Sequence, residues 1–429
     1  MVRSYLTRTF SSLGIRNYRL YFIGQGISLA GTFMQGLAQA WLVLTLTERA
    51  TAVGIVSALQ FGPVLLLGPY GGILADRFSK RRLLFFTQSA AGLLALLLWA
   101  LVFTHVVQLW MVYVIAAALG LVNSLDNPVR QTFAYEMVGR DRVGNAVTLN
   151  SMELNLSRII GPALAGVLIA TVGIATCFLI NAASFGAVLV SLLLMRPVEL
   201  VRSERVARSK GQLREGFSYV SRSPILRDAL VMVAIIGTLT FEFQVSLAVL
   251  ARRTFSTGAG GYSLLTSAMG VGAVLGGLVL AGLRRPGKRT LVAAAFAFGA
   301  ATALVAVSPT LALAAAGMTL VGAASIAFTT VSNTILQLNA APRMRGRVMS
   351  LWSTAFLGST VVGAPIVGWV ADRLSPEWAV GVGALAALGA GVYGVADVGR
   401  RVSGEARTGE QAEAPVPTTA AGGAGSGPA

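Results

Sequence analysis

Two carboxylates stand inside runs that are otherwise apolar. Glu153 belongs to Asn150-Ser151-Met152-Glu153-Leu154-Asn155-Leu156-Ser157-Arg158, in a stretch that opens near Val143. On a helix rising about 1.5 Å per residue it lies about 15 Å deep, near a bilayer midplane. Glu242 sits in Phe241-Glu242-Phe243-Gln244, about 13 residues, or roughly 20 Å, into a second such stretch. A charge at that depth costs at least about 2.5–3.5 kcal/mol, so each group should face a water-filled cavity or a partner. Burial among aromatics also makes the neutral form of a carboxyl group accessible. The chemistry these residues could do is reversible proton uptake inside a cavity, which coupling to a proton gradient requires. The competing role for each is a buried structural ion. Arg158 is a poor partner for Glu153, because five residues turn a helix by about 500° and leave the two about 140° apart.

Further polar groups are scattered through the apolar runs: Gln25, Gln35 and Gln39 in the first, Gln60 in the second, Asn181 in the sixth and Gln244 beside Glu242. Gln35 and Gln39 share a helix face at i, i+4. With Phe33, Trp41, Phe241 and Phe243 they would suit a bulky amphipathic molecule, and glutamines in membranes also serve as ties between helices. Enzymatic chemistry is poorly provided for. The single histidine, His105, and single cysteine, Cys177, offer neither a metal set nor a nucleophile and base pair, and no Gly-Lys-Ser/Thr loop is present. His105 reads as a headgroup-level residue and Cys177 as packing. No cofactor, no metal and no enzyme activity are expected.

The elements that must position these groups are membrane helices. Of 429 residues 55% are hydrophobic and only 12% charged, whereas an ordinary soluble protein needs about 25% charged. The formal charge of +17 falls in short basic clusters between apolar runs, which excludes a nucleic-acid surface and marks loops that orient a chain in lipid. Runs long enough to span a bilayer lie near 20–46, 52–75, 83–104, 108–127, 144–171, 175–195, 229–251, 262–283, 290–307, 310–337, 348–371 and 378–398. The first exceeds the roughly 7–15 apolar residues of a signal peptide and is read as a retained span. The expected organisation is an N-terminal segment 1–19, a six-helix half 20–195, a linker 196–228, a second six-helix half 229–398 and a disordered tail 399–429.

Lys and Arg alternate between hairpins. Arg77 to Arg82, Arg130 to Arg142, Arg196 to Arg227, Arg284 to Arg289 and Arg343 to Arg347 share one side, against Arg49, Arg252, Arg253 and Arg373 on the other. The positive-inside rule makes the crowded side cytoplasmic, with both termini and the linker. The halves also echo each other at offsets of about 202–206: Gly71-Gly72 and Gly276-Gly277, Asn127 and Asn333, Gln131 and Gln337, Arg142-Val143 and Arg347-Val348, Gly161 to Gly166 and Gly363 to Gly368.

The most specific stretch is Gly71-Gly72-Ile73-Leu74-Ala75-Asp76-Arg77-Phe78-Ser79-Lys80-Arg81-Arg82. It resembles the loop between the second and third helices of major facilitator superfamily transporters, with Gly72, Leu74, Ala75, Asp76, Arg77, Lys80 and Arg81 in place and Ser79 where the family has glycine. Arg16-Asn17-Tyr18-Arg19, the polar run Asn123 to Gln131 with Asp126, Pro128 and Arg130, and Asn150 to Gly166 resemble the branch that includes enterobactin-type siderophore exporters and macrolide efflux proteins. Gly161-Pro162-Ala163-Leu164-Ala165-Gly166 partly resembles the Gly-Pro motif of the family's antiporters, with Ala165 where a glycine is expected.

The resemblance implies an all-α membrane protein with twelve transmembrane helices in two pseudo-symmetric halves. It also implies a gate in which Asp76 meets the start of the eleventh helix and Lys80 pairs with an acid on the fourth, taken as Asp126. The function implied is secondary active export of a small amphipathic molecule, of drug or siderophore type, across a bacterial cytoplasmic membrane by a proton-coupled monomer. Glu242 and Glu153 are the proton-site candidates. Gly72, Asp76, Arg77, Lys80, Asp126 and Arg130 are assigned to gating, and Gln35, Gln39, Gln60, Asn150, Arg158, Asn181, Phe241 and Gln244 to the cavity. An importer or uniporter of the same fold, and a non-transporting receptor or scaffold, are the alternatives.

Overall fold

In lipid a backbone amide has no water to bond, so each long apolar run must satisfy its own polar groups as a helix. The computed structural model describes residues 10–201, 212–280 and 287–412, with the side chains of 69–76, 212–214 and 397–412 outside the description. Among the described residues, twelve helices are long and apolar enough to cross a membrane. They are α1 (Arg16–Thr47), α2 (Ala50–Arg77), α3 (Lys80–Phe103), α4 (Leu109–Val138), α5 (Val143–Thr171), α6 (Ala175–Leu194), α7 (Pro224–Thr254), α8 (Ala259–Leu280), α9 (Lys288–Ala306), α10 (Leu311–Asn339), α11 (Arg345–Arg373) and α12 (Pro376–Ala396). A linker helix, Gln212–Arg222, precedes α7. The backbone of the last helix continues past Gly399 to Ala412. The remainder of the tail expected to lack structure lies outside the described residues.

Three of these helices depart from the expected runs. α4 does not stop near residue 127 but carries Pro128 in its interior and continues to Val138. A proline removes one backbone bond, and neighbouring helices in a membrane bundle make that tolerable. α7 is discontinuous: Pro224–Leu239 ends, Thr240 to Glu242 leave the helix, Phe243–Val249 resumes it, and Leu250–Thr254 closes as a π-turn. α11 is likewise made of Arg345–Leu357 and Thr360–Arg373, with Gly358 and Ser359 between them.

The packing repeats between halves. α1 lies on α5 and α6, α2 on α4, and α3 on α4 and α6; correspondingly α7 lies on α11 and α12, α8 on α10, and α9 on α10 and α12. The main seams between halves, α2 with α11 and α5 with α8, exchange under the same two-fold relation. The α2–α11 seam is close because glycines form it. A Cβ at Gly54 would stand 2.3 Å from the Ala364 carbonyl oxygen, and one at Gly368 2.6 Å from that of Ala50. Buried polar ties pin the helices at the end where the basic hairpins gather, hereafter the basic face. There Asp228 of α7 accepts from Lys288 of α9 at 2.8 Å and from the Tyr393 hydroxyl of α12 at 3.2 Å.

Candidate functional site

The break in α7 places Glu242. The Thr240 hydroxyl turns away from its own helix and donates to the Gly383 carbonyl of α12 at 2.7 Å. Glu242 then caps the resumed helix with its backbone, its carbonyl accepting from the Val245 and Ser246 amides at 3.1 Å each. Its side chain is 4% exposed and reaches the second break. Thr360, which opens the second piece of α11, engages the carboxylate. A Cβ at Gly363 would lie 3.1 Å from Glu242 Oε1 and 1.6 Å from the Thr238 carbonyl oxygen. Oε1 itself has no hydrogen-bond partner among the described residues. On the other side Phe241 meets Phe356 at 4.9 Å and Phe298 at 5.1 Å between ring centroids, and Phe356 stacks on Trp352 at 5.3 Å. Gln244 crosses between halves, donating to the Gly36 carbonyl at 3.2 Å.

Glu153 occupies a comparable position in the first half. It is 8% exposed, Oε1 has no partner among the described residues, and a Cβ at Gly26 of α1 would stand 2.8 Å from that oxygen. Asn150, one turn nearer the basic face, accepts from the Tyr18 hydroxyl at 2.8 Å. The buried Tyr21 hydroxyl and Gln25 Oε1 of α1 are also unpartnered among the described residues. Arg158 makes no ion pair with Glu153 and instead lies over the Phe33 ring, 5.8 Å from its centroid.

The glutamines and Asn181 are drawn into pairs that tie α1 to its neighbours. Asn181 donates to Gln35 at 2.6 Å, and Gln60 donates to Gln39 at 3.1 Å. Gln35, Gln39 and Asn181 are buried, which places them between helices.

At the basic face the expected pair of Lys80 with Asp126 is not formed. Lys80 donates to Glu136 at 2.6 Å, from the start of α3 to the end of α4. Asp126 lies ten residues earlier, about 15 Å further into the bundle, because α4 runs on past Pro128. There it accepts from Thr87 at 2.6 Å and Gln88 at 2.8 Å, with Arg130 at 3.8 Å. Arg130 also donates to Asn127 at 2.9 Å. Arg77 is exposed; Gly72 and Asp76 lie on α2, and the Asp76 side chain falls outside the described residues.

The opposite face carries a network between halves that sequence reasoning missed. Asp372, near the end of α11, accepts from the Ala50 and Thr51 amides of α2 at 2.9 Å each and from the Thr51 hydroxyl at 2.7 Å. Arg253 of α7 donates to Asp372 at 2.9 Å, to the Ala371 carbonyl at 3.2 Å and to the Glu48 carbonyl. Arg252 pairs with the Glu48 carboxylate and lies over Trp41, 5.6 Å from the ring centroid. A signal was available. Gly368-Trp369-Val370-Ala371-Asp372-Arg373-Leu374-Ser375 repeats the Gly-x-x-Ala-Asp-Arg-x-Ser of Gly72 to Ser79. It sits on α11, the antiparallel partner of α2 across the seam, and not on α8, where a repeat of the halves would place it.

Twelve spans in two-fold related halves, with broken helices meeting at mid-depth, define a membrane transporter of the major facilitator fold and not an enzyme. The chain belongs to the transmembrane secretion effector family of that superfamily, whose profile matches residues 7–414.

It is 26% identical over 265 residues to the staphyloferrin A transporter of Staphylococcus aureus, covering 61% of this chain and 66% of that protein. It is 24% identical over 368 residues to the enterobactin exporter EntS of Shigella flexneri, covering 84% and 86%. Against the YfiS transporter of Bacillus subtilis the match spans 46% of that protein's length. Among solved structures, a POT family transporter superposes with a TM-score of 0.72 at 11% identity, covering 90% of this chain and 96% of its own. The nucleoside transporter NupG gives 0.70 at 12% identity, covering 90% and 98%. These two likenesses concern the fold alone.

Proposed function

We propose that the protein is a secondary active exporter of a small amphipathic molecule, of siderophore or drug type, driven by proton entry across a bacterial cytoplasmic membrane. The observation that carries this reading is Glu242, a buried carboxylate with one oxygen unpartnered among the described residues, at the point where the breaks of α7 and α11 meet. Discontinuous helices near mid-depth are where transporters bind substrate and coupling ions. A carboxyl group there can exchange a proton as water reaches it from one side or the other, with the Phe241, Phe356 and Trp352 rings offering an apolar wall. Export, and substrates of siderophore type, are inferred from the names of the relatives.

The mechanism proposed is alternating access. The halves 20–195 and 229–398 rock as units, joined by the linker 196–228. The basic face with both termini is cytoplasmic, so the Asp372 network closes the outer side. The inner gate is assigned to Asp76 and the start of α11, with Lys80 and Glu136 stiffening the α3–α4 hairpin beside it.

The test is accumulation in efflux-deficient cells of dyes, macrolides and a catecholate siderophore, with wild type, Glu242→Gln and Glu153→Gln, each with and without a protonophore. Lowered accumulation that both the protonophore and Glu242→Gln abolish supports the reading. Activity that survives in Glu242→Gln moves the proton site to Glu153. Accumulation raised by the wild type reverses the direction.

A further inference from the structure

Arg158 is the one deep cation in α5, and its surroundings are unlike those of the other charged groups in the bundle. It lies fifteen residues from one end of α5 and thirteen from the other, about 20 Å from either end at 1.5 Å per residue. No face of a helix is worse for a charge unless water reaches it. α5 has a lipid-type stripe: Met152, Leu156, Ile160 and Leu164 recur every fourth residue and are 39–55% exposed. Arg158 is two residues from both Leu156 and Ile160, about 200° around the helix and so on the far side of that stripe. It shares its side with Ser151 and Asn155, and it is exposed. An exposed arginine at mid-depth, turned away from that apolar stripe, is placed to line a space between the halves.

Among the described residues no carboxylate lies within ion-pair distance of Arg158, whereas Arg252, Arg253, Lys80 and Lys288 each hold one. Its guanidinium lies instead over the Phe33 ring of α1. A guanidinium does not shed its charge, and its planar fork matches the paired oxygens of a carboxylate or catecholate. The Phe33 ring is a favourable cation–π neighbour that takes up none of the guanidinium donors. α5 is also the helix that meets α8 across the seam, with Ser263 donating to the Pro162 carbonyl at 2.6 Å one turn beyond Arg158. A ligand held by Arg158 therefore sits where the halves move against each other.

We infer that Arg158 is the anion-recognising residue of the substrate cavity and that the transported molecule carries a bidentate oxyanion. This rests on the transporter reading and narrows its substrate class to anions.

The experiment uses the purified full-length protein in nanodiscs, with citrate and 2,3-dihydroxybenzoate as anionic probes and ethidium as a cationic one, binding being read by thermal shift and by tryptophan fluorescence. The wild type should bind an anionic probe, with affinity falling as salt rises. Arg158→Gln should weaken that binding about 10- to 100-fold, and Arg158→Lys, which keeps the charge but loses the fork, should fall between. An unchanged melting temperature of the ligand-free variants separates loss of binding from loss of fold. Equal anion binding by Arg158→Gln, or no anion binding by the wild type, overturns the assignment. Protonophore-sensitive ethidium transport by the wild type in proteoliposomes, together with either result, would leave the exporter reading standing while removing Arg158 from recognition.

Discussion

Asp372 of α11 caps the first turn of α2, holding the Thr51 amide at 2.9 Å and its hydroxyl at 2.7 Å from the other half of the molecule. A carboxylate on the unpaired amides of a helix N-terminus is favourable in both hydrogen bonding and dipole, so this contact ties α11 to α2 at the opposite face. Asp372→Asn removes the charge and one acceptor. Loss of such a cap costs about 1–2 kcal/mol, so exchange of the Ala50 and Thr51 amides, measured by hydrogen–deuterium exchange, should rise roughly 5- to 30-fold. Unchanged protection of that segment would show that Asp372 does not hold the seal.

Glu48 and Arg252 add a contact with a predictable acid response. The Arg252 hydrogen bond and charge beside it hold the Glu48 carboxyl below the usual glutamate range. A group whose value is depressed in the closed state favours closure above its open-state value and loses that contribution only as pH falls through the lower one. With an ordinary glutamate near about 4.3, acidification from pH 7 to about 5.5 should leave the seal intact. Spin labels at Arg49→Cys and Ser256→Cys, in a Cys177→Ser background, should report one closed-face distance across that window. A distance change within it would place a different titrating group at the seal.

Much of the fold is legible from the sequence because lipid demands long uninterrupted apolar runs, and twelve of those can be counted directly. The breaks are not, since Thr240 to Glu242 and Gly358 to Ser359 interrupt helices without a proline or a long polar run to mark them. The separation of Glu153 from Arg158 follows from helix geometry alone. The depth of Asp126 does not, because Pro128 reads as a stop in a soluble helix and is only an interior residue here. That single reading hid Glu136 as the partner of Lys80.

The Lys80 to Glu136 pair can be tested against the alternative. Lys80 is 5% exposed and Glu136 17%, so removing one partner leaves a largely buried charge at a cost of up to about 3–5 kcal/mol. Lys80→Glu should lower the melting temperature of the detergent-solubilised protein by several degrees, and Lys80→Glu with Glu136→Lys should recover most of it. Lys80→Glu with Asp126→Lys should not, since Asp126 is engaged by Thr87 and Gln88. Recovery by the Asp126 exchange and not by Glu136 would reverse the assignment.

Gly363 should tolerate no side chain. It brings α11 against α7 beside Glu242, and a methyl group there would overlap the Thr238 carbonyl, at 1.6 Å, before touching the carboxylate, at 3.1 Å. Backbone cannot swing aside as a side chain can, so Gly363→Ala must push the two broken helices apart and expose the buried oxygen of Glu242. Overpacking of this kind costs about 1–3 kcal/mol or more. Gly389→Ala on α12, where a Cβ meets nothing within 4 Å, is the matched control. Melting temperature and protonophore-sensitive efflux should both fall in Gly363→Ala and stay at wild-type levels in Gly389→Ala. Normal stability with lost efflux would confine the role of Gly363 to the site, and normal values of both would mean that α7 and α11 have room to separate there.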